Sequence, residues 1–345
     1  MHGGNIYGNE IEYDFSVNLN PLGPPKSVRD ALAAALNHVE EYPDSEYREL
    51  RRGLANYWQL AEEQIVPGNG ASELIPGIIR TLSPKNCMVT APCYSGYETA
   101  LSAAAPSCRI HRIPLRAEDD FTLPENTCQE IARIKPNLLI LTNPNNPTGQ
   151  VTPPELVQKL LRRCAACGAV LVVDECFLDF LPDRDALTAK RFLHDASNLI
   201  ILKAFTKLYA MAGVRLGYAL CGNAALMDKM RAVGQPWAVS SLAQAAGLAA
   251  LGETAYADCV RDLIAEERPK LAAGLRALGL YVVGGRANYL LFQAPADFGE
   301  TLRWRGAVVR SCANYPGLDG SWYRTAVRTN AENQRLLQIM GEVLA

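Results

Sequence analysis

The sequence carries almost no net charge and no long apolar run, and each absence excludes a class of protein. Its 345 residues include 34 Lys and Arg against 36 Asp and Glu, with a formal net charge of −2 and no basic block. This balance argues against nucleic acid or an anionic membrane as the main partner. Gly, Pro or charged residues break every apolar run before bilayer-spanning length, so we expect no membrane segment.

The sequence also lacks the cysteine pattern of a secreted or zinc-binding protein. Its ten cysteines are scattered, which is typical of reduced thiols in the cytoplasm. The start, MHGGNIYGNE, has neither the basic nor the apolar part of a secretory signal, so we expect a cytoplasmic protein. Cys164 and Cys167 form one CxxC, but no second pair or His cluster completes a metal site. We interpret this CxxC as the structural end of a helix and expect no metal.

Short apolar runs alternate with helical patterns from about residue 65 to 235. The runs read as buried strands: NCMVTAP, NLLILTNP, AVLVVDE, NLIILKAF and RLGYAL. This alternation predicts an α/β fold, with a mostly parallel sheet between two helical layers. From about residue 240 a long helical stretch, 240–279, leads to YVVGG, ANYLLFQ, GAVVRSC and YRTAVRT as strands, then a final helix. We predict a large domain, 41–240, and a smaller discontinuous α+β domain, 1–40 and 241–345.

Four polar motifs fall at the ends of the predicted strands. They are GNGASE at 68–73, TNPNNPTG at 142–149, Asp174 after LVV, and Lys207 in FTKLYAMAGVRLGY. Each has an ordinary explanation alone: a glycine turn, a rigid turn, a helix cap and a lysine that extends to water. Ligands of such sheets bind beyond the carboxyl ends of the strands, where all four motifs would meet.

Together these residues match the needs of pyridoxal phosphate. A lysine binds its aldehyde as a Schiff base, and a carboxylate pairs with the ring nitrogen. A helix N-terminus with an arginine suits the phosphate dianion. An aromatic side chain covers the ring face, and Tyr94 of APCYSGYE is suitably placed.

At this point the sequence resembles the fold-type I pyridoxal phosphate enzymes of the class I/II aminotransferase group. The resemblance runs through EEYPDSEYRELRRGLA, GNGASE, NPNNPTG, VVDECFLDF, FTKLYAMAGVRLGY and YRTAVRT, over essentially the whole chain. It implies a three-layer α/β/α large domain, a smaller α+β domain and a homodimer with shared active sites. Two branches compete, the histidinol-phosphate aminotransferases and the threonine-phosphate decarboxylases of cobalamin synthesis.

Three features resemble the decarboxylase branch more closely. HGGN followed by DFSVNLNPLG is similar to its start, and RSCANYPGLD at 310–319 is similar to its later segment. Phe177 stands where aminotransferases of the group usually carry a tyrosine that hydrogen-bonds the cofactor ring oxygen. The implied reaction is decarboxylation of L-threonine O-3-phosphate or L-serine O-phosphate to a phosphorylated amino alcohol. The alternative is a histidinol-phosphate-type aminotransferase, and a non-catalytic relative is disfavoured because Lys207 and Asp174 are both present.

The resemblance also implies a role for individual residues. Lys207 and Asp174 match the catalytic pair. The cofactor shell comprises Gly70, Ala71, Ser72, Tyr94, Asn146, Asp174, Thr206, Lys207 and Arg215, with Tyr42 reaching the neighbouring subunit's phosphate. The substrate shell comprises His2, Gly3, Asn18, Asn146, Arg310 and Arg328, the last expected to hold the substrate carboxylate. One departure is Ala204, where the family usually has a hydroxyl that donates to the phosphate, a hydrogen bond of about 1.5–3 kcal/mol.

Overall fold

The computed structural model describes residues 3–7 and 10–345 and consists of a large central sheet, two small sheets and the helices that cover them. The strands are β1 Tyr13–Asp14, β2 Ile65–Gly68, β3 Asn86–Ala91, β4 Arg109–Pro114, β5 Leu138–Thr142, β6 Val170–Asp174, β7 Leu199–Ala204, β8 Gly217–Cys221, β9 Tyr289–Gln293, β10 Ala307–Val308, β11 Arg310–Ser311 and β12 Trp322–Ala326. The helices are α1 Lys26–Ala35, α2 Arg48–Trp58, α3 Ala71–Leu82, α4 Gly96–Ala104, α5 Thr127–Ile134, α6 Pro154–Ala166, α7 Arg184–Leu187, α8 Phe205–Leu208, α9 Ala224–Val233, α10 Ser241–Leu251, α11 Thr254–Ala277, α12 Phe298–Trp304 and α13 Asn330–Leu344.

The central sheet has seven strands in the order β2-β8-β7-β6-β5-β3-β4. Only β8 runs antiparallel to its neighbours, so the predicted mostly parallel sheet is confirmed. Its inner strands are mostly apolar on both faces because helices cover both sides, and their side chains divide into two hydrophobic clusters. The five runs predicted as strands form β3, β5, β6, β7 and β8, and PELVQKLLRRCAACG forms α6.

The C-terminal part contains a three-stranded antiparallel sheet in the order β11-β12-β9. The predicted strand YVVGG is wrong, since only a single bridge, Val282 to Phe292, forms there. The long helical stretch 240–279 divides into α10 and α11 around Gly252. Residues 13–14 pair with residues 307–308 through β1 and β10, which ties the N-terminal segment to the C-terminal part. The domain boundaries at 40/41 and 240/241 remain predictions.

Within residues 3–7 and 10–345, no helix is long and apolar enough to cross a membrane. All ten cysteines lie in this part of the chain and are free thiols. Cys164 is buried at the end of α6, and burial raises the pKa of its thiol to about 12. The Cys167 thiol donates to the carbonyl oxygen of Cys164 at 3.3 Å. The burial of Cys164 and the hydrogen bond of Cys167 are consistent with a structural helix end.

Candidate active site

A cavity of about 120 Å³ opens at the carboxyl ends of the central strands. The loops that follow β2, β3, β5, β6 and β7 meet there, as expected for an α/β sheet. The cavity is lined by Ala71, Ser72, Ile75, Tyr94, Tyr97, Thr142, Asn146, Asp174, Cys176, Phe177, Ala204, Thr206, Lys207 and Arg215. The structure therefore brings together most of the residues that the sequence predicts for a cofactor shell.

Lys207 lies in α8, one short turn beyond the end of β7. Its Nζ is 5.4 Å from the centre of the Phe177 ring. Burial disfavours the charged amine and the Arg324 and Arg215 guanidinium groups repel it, so the pKa of Lys207 falls to about 8. An amine with this pKa is partly unprotonated near neutrality, which is the form that attacks an aldehyde.

Asp174 is the last residue of β6, and its carboxylate is only 6% exposed. The Tyr97 hydroxyl donates to Oδ2 at 2.6 Å, and the Cys176 N–H donates to Oδ1 at 3.0 Å. The Tyr97 hydroxyl also lies 2.9 Å from Thr142 Oγ1. Burial and the nearby Asp174 charge raise the pKa of Tyr97 well above its usual value, so this phenol stays a donor. These contacts hold the carboxylate in one orientation at the cavity wall.

The N-terminus of α3 forms an anion cradle at the other end of the cavity. Gly70 adopts φ +75°, and a Cβ there would lie 2.7 Å from Arg215 Nη2. A Cβ on Gly217 would lie 2.6 Å from the Ala71 nitrogen. Glycine at both positions lets the helix start, the β8 backbone and the guanidinium approach closely. The free N–H groups of the first helical turn and Arg215 together suit a dianion.

The structure corrects the position of one predicted substrate residue. Arg328 lies outside the cavity, because its guanidinium pairs with Glu332 through Nε at 2.8 Å and Nη2 at 2.6 Å. Arg324 is the arginine at the site: its Nη1 donates to Asn146 Oδ1 at 2.5 Å and its Nη2 to the Ser16 carbonyl at 2.9 Å. Arg328 therefore contacts the start of α13 and not the cavity, which corrects its expected position, while its contact with the substrate carboxylate stays a prediction.

Arg310 lies directly opposite Arg324, since β11 and β12 pair these two residues. It is 7% exposed, and its Nη2 donates to Asn314 Oδ1 at 2.8 Å while Nη1 donates to the Ser311 carbonyl. With Gly3 and Ser16 it lines a second cavity of about 420 Å³. In the part of the chain that the structure describes, neither Arg310 nor Arg324 pairs with a carboxylate. Two buried cations without counter-ions are costly unless an anion joins them.

Two other predicted residues, Asn18 and Tyr42, do not line the first cavity. His2 is outside the described residues. Asn18 is 2% exposed, and both polar atoms of its side chain lack a hydrogen-bond partner in the described residues. Tyr42 is 81% exposed and packs against the Trp237 ring with 4.9 Å between ring centres. Its exposure is what a residue that contacts a second subunit requires.

Sequence reasoning missed Tyr97, Thr142 and Arg324. Tyr97 follows Tyr94 by three residues in APCYSGYE, and its helical spacing from that residue could have suggested a shared face. Thr142 ends an apolar strand beside the one that ends in Asp174, and the two are register partners in β5 and β6. Arg324 stands four residues before Arg328 in the same motif, YRTAVRT.

This fold and this site define a member of the aminotransferase class I and II family, to which the chain belongs, since the family model matches residues 10–340. A relative, the threonine-phosphate decarboxylase of Salmonella typhimurium, is 37% identical over 357 residues, covering 99% of this chain and 96% of that protein. Histidinol-phosphate aminotransferase 2 of Archaeoglobus fulgidus is 32% identical over 336 residues, covering 96% of this chain and 92% of that protein.

Solved structures agree with this family. The histidinol-phosphate aminotransferase of Clostridium acetobutylicum superposes with a TM-score of 0.89 at 28% identity, covering 96% of this chain and 99% of that chain. The Sinorhizobium meliloti histidinol-phosphate aminotransferase, solved in complex with pyridoxal-5'-phosphate, has a TM-score of 0.84 at 26% identity, covering 98% and 92%. The predicted fold type is confirmed.

The family depends on pyridoxal phosphate, which confirms the cofactor predicted from the sequence. The side chains present fit it. The cradle at Gly70, with Arg215 and the α3 N–H groups, suits its phosphate, and Asp174 suits its ring nitrogen. Lys207, with its lowered pKa, suits its aldehyde. The methyl group of Ala204 lines the same cavity and offers the phosphate no hydrogen bond.

Proposed function

We propose that the protein is a cytoplasmic enzyme that decarboxylates an O-phosphorylated α-amino acid, L-threonine O-3-phosphate or L-serine O-phosphate. The product would be a phosphorylated amino alcohol for cobamide biosynthesis. The observation that carries this proposal is the pair of buried arginines, Arg310 and Arg324, which face each other across β11 and β12 and have no carboxylate partner in the described part of the chain. The 37% identity to a threonine-phosphate decarboxylase supports the same reaction.

Two neighbouring cations that reach different cavities suit a substrate with two anionic ends. Arg324 contacts Asn146 at the wall of the first cavity, so it would hold the carboxylate beside the cofactor. Arg310 lines the second cavity with Gly3 and Ser16, so it would hold the phosphate, and His2 and Asn18 would contribute to that end. Arg324 Nε, Asn18 Oδ1 and Asn18 Nδ2, which have no partner among residues 3–7 and 10–345, are buried donors and acceptors that a polar ligand would satisfy.

When bound, pyridoxal phosphate supplies an electron sink for the pair left at Cα as a bond breaks. The residues of this chain then determine which bond breaks. Anchors at both ends restrict rotation of the substrate about its Cα–N bond, which is catalysis by orientation. Lys207, whose pKa is lowered to about 8, is suited to return a proton to Cα after CO₂ departs. Asp174 would keep the ring nitrogen protonated, with Tyr97 holding the carboxylate in place.

The remaining roles of the cofactor shell follow from position. Ala71, Ser72, Thr206 and Arg215 would hold the phosphate, and Tyr94 would cover the ring. Tyr42 would reach the phosphate of a second copy, so we propose a homodimer with shared sites. Its exposed ring, beside the 48% exposed Trp237, is the observation that supports this arrangement.

Phe177 favours decarboxylation over the alternative, a histidinol-phosphate-type aminotransferase. Its ring packs edge-on against Tyr289, with centres 5.0 Å apart, and it has no hydroxyl to donate to the cofactor ring oxygen. The neighbouring Tyr289 hydroxyl donates to the Asn145 carbonyl at 2.7 Å, so it does not take the place of the missing hydroxyl at position 177. The aminotransferase alternative rests on relatives at similar identity, such as the 32% identical Archaeoglobus fulgidus protein.

The experiment that tests this function is incubation of the purified protein with pyridoxal phosphate and each candidate substrate. We expect CO₂ and the phosphorylated amine from O-phosphothreonine or O-phosphoserine. Both must be tried, because one methyl group changes binding by only about 1–3 kcal/mol. No CO₂ from either, together with conversion of histidinol phosphate and 2-oxoglutarate, would establish the aminotransferase instead.

A further inference from the structure

A second buried lysine lies on the opposite face of the sheet from the cofactor cavity. Lys203 Nζ is 3.0 Å from Glu175 Oε2 and 2.9 Å from Asp179 Oδ1. The Lys203 side chain is 1% exposed, that of Glu175 is 0% and that of Asp179 is 22%. The ammonium also lies 5.0 Å from the centre of the Trp58 ring. We call Lys203, Glu175 and Asp179 the ionic cluster.

The Glu175 carboxylate links three parts of the chain. Besides Lys203, Oε2 accepts a hydrogen bond from Thr188 Oγ1 at 2.7 Å, and Oε1 accepts one from the Ala189 N–H at 2.6 Å. Both oxygens are therefore used, and none of these contacts involves the cofactor cavity. The cluster is a closed network, in which each charged group has defined partners.

The position of the cluster in the sheet connects it to the two catalytic candidates. The strands β6 and β7 are adjacent and parallel, with Asp174 opposite Leu202, and the Glu175 N–H donates to the Leu202 carbonyl at 2.9 Å. Because side chains alternate along a strand, Glu175 and Lys203 point away from the face that carries Asp174. Glu175 directly follows Asp174, and Lys203, near the end of β7, precedes Lys207 of α8 by four residues. The ion pair thus joins the two backbone segments that present Asp174 and Lys207.

Fold stability is a weak explanation for this arrangement. Removing two charges from water is costly, and a protein with apolar residues of the same volume in place of a buried ion pair is often as stable or more stable. A buried ion pair differs from apolar packing in being directional, because it holds two chain segments at one separation. Pyridoxal phosphate is rigid, and the groups that hold its ring nitrogen and its aldehyde must be a fixed distance apart.

We propose that Lys203, with Glu175 and Asp179, is a positioning residue that sets the spacing between the Asp174 carboxylate and Lys207 Nζ. The proposal rests on the proposed roles of Asp174 and Lys207 but not on which substrate is turned over. Burial, followed by the charges of Arg324, Arg215 and Asp174, shifts the pKa of Lys207, and these causes do not include Lys203, Glu175 or Asp179. The ionic cluster therefore acts through backbone geometry.

The test compares holoenzyme carrying both Lys203→Met and Glu175→Gln with wild type. The double change removes the two fully buried charges together and nearly conserves volume, and the one carboxylate that loses its partner, Asp179, is 22% exposed and can be solvated. The matched control is Glu267→Gln, another buried carboxylate, held by Lys270 at 2.9 Å and by Asn330 and Asn333 between α11 and α13. Three quantities are measured: the thermal midpoint, kcat and KM for CO₂ release, and the pH midpoint of the visible absorbance of the lysine-bound cofactor.

For the double variant we expect kcat to fall roughly 10- to 100-fold, as misplacement of reacting groups by about 1 Å does, with KM nearly unchanged. We also expect the pH midpoint of the absorbance to move, because that midpoint reports the surroundings of the lysine–cofactor bond. The control should lower the thermal midpoint without moving the absorbance midpoint. A double variant that behaves like the control, with kcat and absorbance unchanged, would overturn the proposal.

A second variant keeps the test decisive if the double variant does not fold. Asp179→Asn removes the most exposed member of the ionic cluster and leaves the Lys203–Glu175 pair intact. It should move the absorbance midpoint in the same direction by a smaller amount, and an unmoved midpoint contradicts the positioning role. Because the absorbance needs no substrate, it separates failure of this inference from failure of the proposed decarboxylation.

Discussion

Arg310 and Arg324 are directly opposite each other on the antiparallel strands β11 and β12. Like charges at such positions repel, and both side chains are buried. The Arg310 guanidinium lies 5.3 Å from the Tyr315 ring centre, and that of Arg324 lies 5.4 Å from the Tyr289 ring centre. Aromatic faces ease this repulsion only in part. An anionic ligand would relieve it, so the pair predicts a doubly anionic substrate.

The first prediction concerns the choice of reaction. Arg310→Ala should raise KM strongly, because an Arg–phosphate contact is charge-assisted and often bidentate. It should also lower decarboxylation more than the slow side transamination, because a substrate anchored at one end rotates more freely. Measuring CO₂ and pyridoxamine phosphate in one reaction checks this. An unchanged ratio of the two products would mean that the phosphate anchor does not control the reaction.

The second prediction separates the two arginines of YRTAVRT. Arg324→Gln should lower kcat/KM by roughly 10- to 100-fold, the value of one hydrogen bond to a charged group. Arg328→Gln is the matched control, because it removes the partner of Glu332 and leaves the cavity intact. Arg328→Gln should lower the free energy of unfolding by about 0.5–1 kcal/mol and leave kcat/KM within about twofold of the wild-type value. Steady-state kinetics and urea unfolding of both variants check this prediction. A large loss of kcat/KM in Arg328→Gln, with little loss in Arg324→Gln, would identify Arg328 as the substrate residue instead.

The third prediction concerns the cost of burying Lys207. Its pKa falls from 10.5 to about 8 in the folded protein. Below pH 8 both states are protonated and the full cost is present. As pH rises from about 8 to 10.5, only the folded state loses its proton, and the cost disappears. With the cofactor removed, Lys207→Met should therefore be more stable than wild type at pH 7 by up to about 3 kcal/mol.

Urea unfolding at several pH values checks the third prediction, with the exposed helical Lys229→Met as control. The advantage of Lys207→Met should shrink above pH 8 and vanish above about pH 10.5. A constant difference at all pH values would contradict the lowered pKa.

The link between Lys207 and the cofactor has a test of its own. Wild-type protein with bound cofactor is reduced with borohydride and digested, and the reduced cofactor should be attached to the peptide that contains Lys207. Attachment to another lysine would refute the role of Lys207.

The fourth prediction tests the shared site. Tyr42→Phe and Lys207→Ala subunits should each have little activity. Mixed dimers should recover part of it, because one of the two sites then contains Tyr42 from one chain and Lys207 from the other. Sedimentation at the assay concentration gives the oligomeric state. A monomer, or mixtures that never exceed the separate variants, would refute a site shared between subunits.

The fifth prediction concerns Ala204. Ala204→Ser should restore a hydroxyl at the phosphate and lower the Kd for the cofactor roughly 10- to 100-fold. Ala105→Ser, at a buried position that does not line the cavity, is the matched control. Equilibrium titration of the cofactor checks both variants. Equal affinities would indicate that the Ala204 position does not face the phosphate.

The apolar runs were sufficient to predict the strands β3, β5, β6, β7 and β8, because both faces of these strands are buried. The apolar runs did not show the direction of each strand, and β8 runs antiparallel to its neighbours. The length of the connection could have indicated this, because only residues 205–216 join β7 to β8, which is about the shortest crossover that parallel strands allow. Alternation could not separate Arg324 from Arg328, because residues four apart lie on the same face of a strand. The strand ends at Ala326, and Arg328 turns to Glu332.

The ionic cluster was missed for a related reason. Lys203 and Glu175 each stand beside a more conspicuous residue, Lys207 and Asp174, and a sequence does not show which strands are neighbours. Once β6 and β7 are adjacent, a cation and an anion at the same level on one face indicate a pair. The sequence could predict most of the residues that line the cavity together, but pairings between strands required the three-dimensional structure.

The contacts of the cavity join residues far apart along the chain. The Tyr97–Asp174 hydrogen bond spans 77 residues, Arg324–Asn146 spans 178, and Arg324–Ser16 spans 308. Closing loops of this length comes late in folding, after local helices and neighbouring strands have formed. A chain emerging from the ribosome therefore lacks both buried arginines until nearly all of it has been synthesised. If the two arginines hold the substrate as proposed, that competence belongs to the finished chain, whereas the cofactor cradle needs only residues up to Gly217.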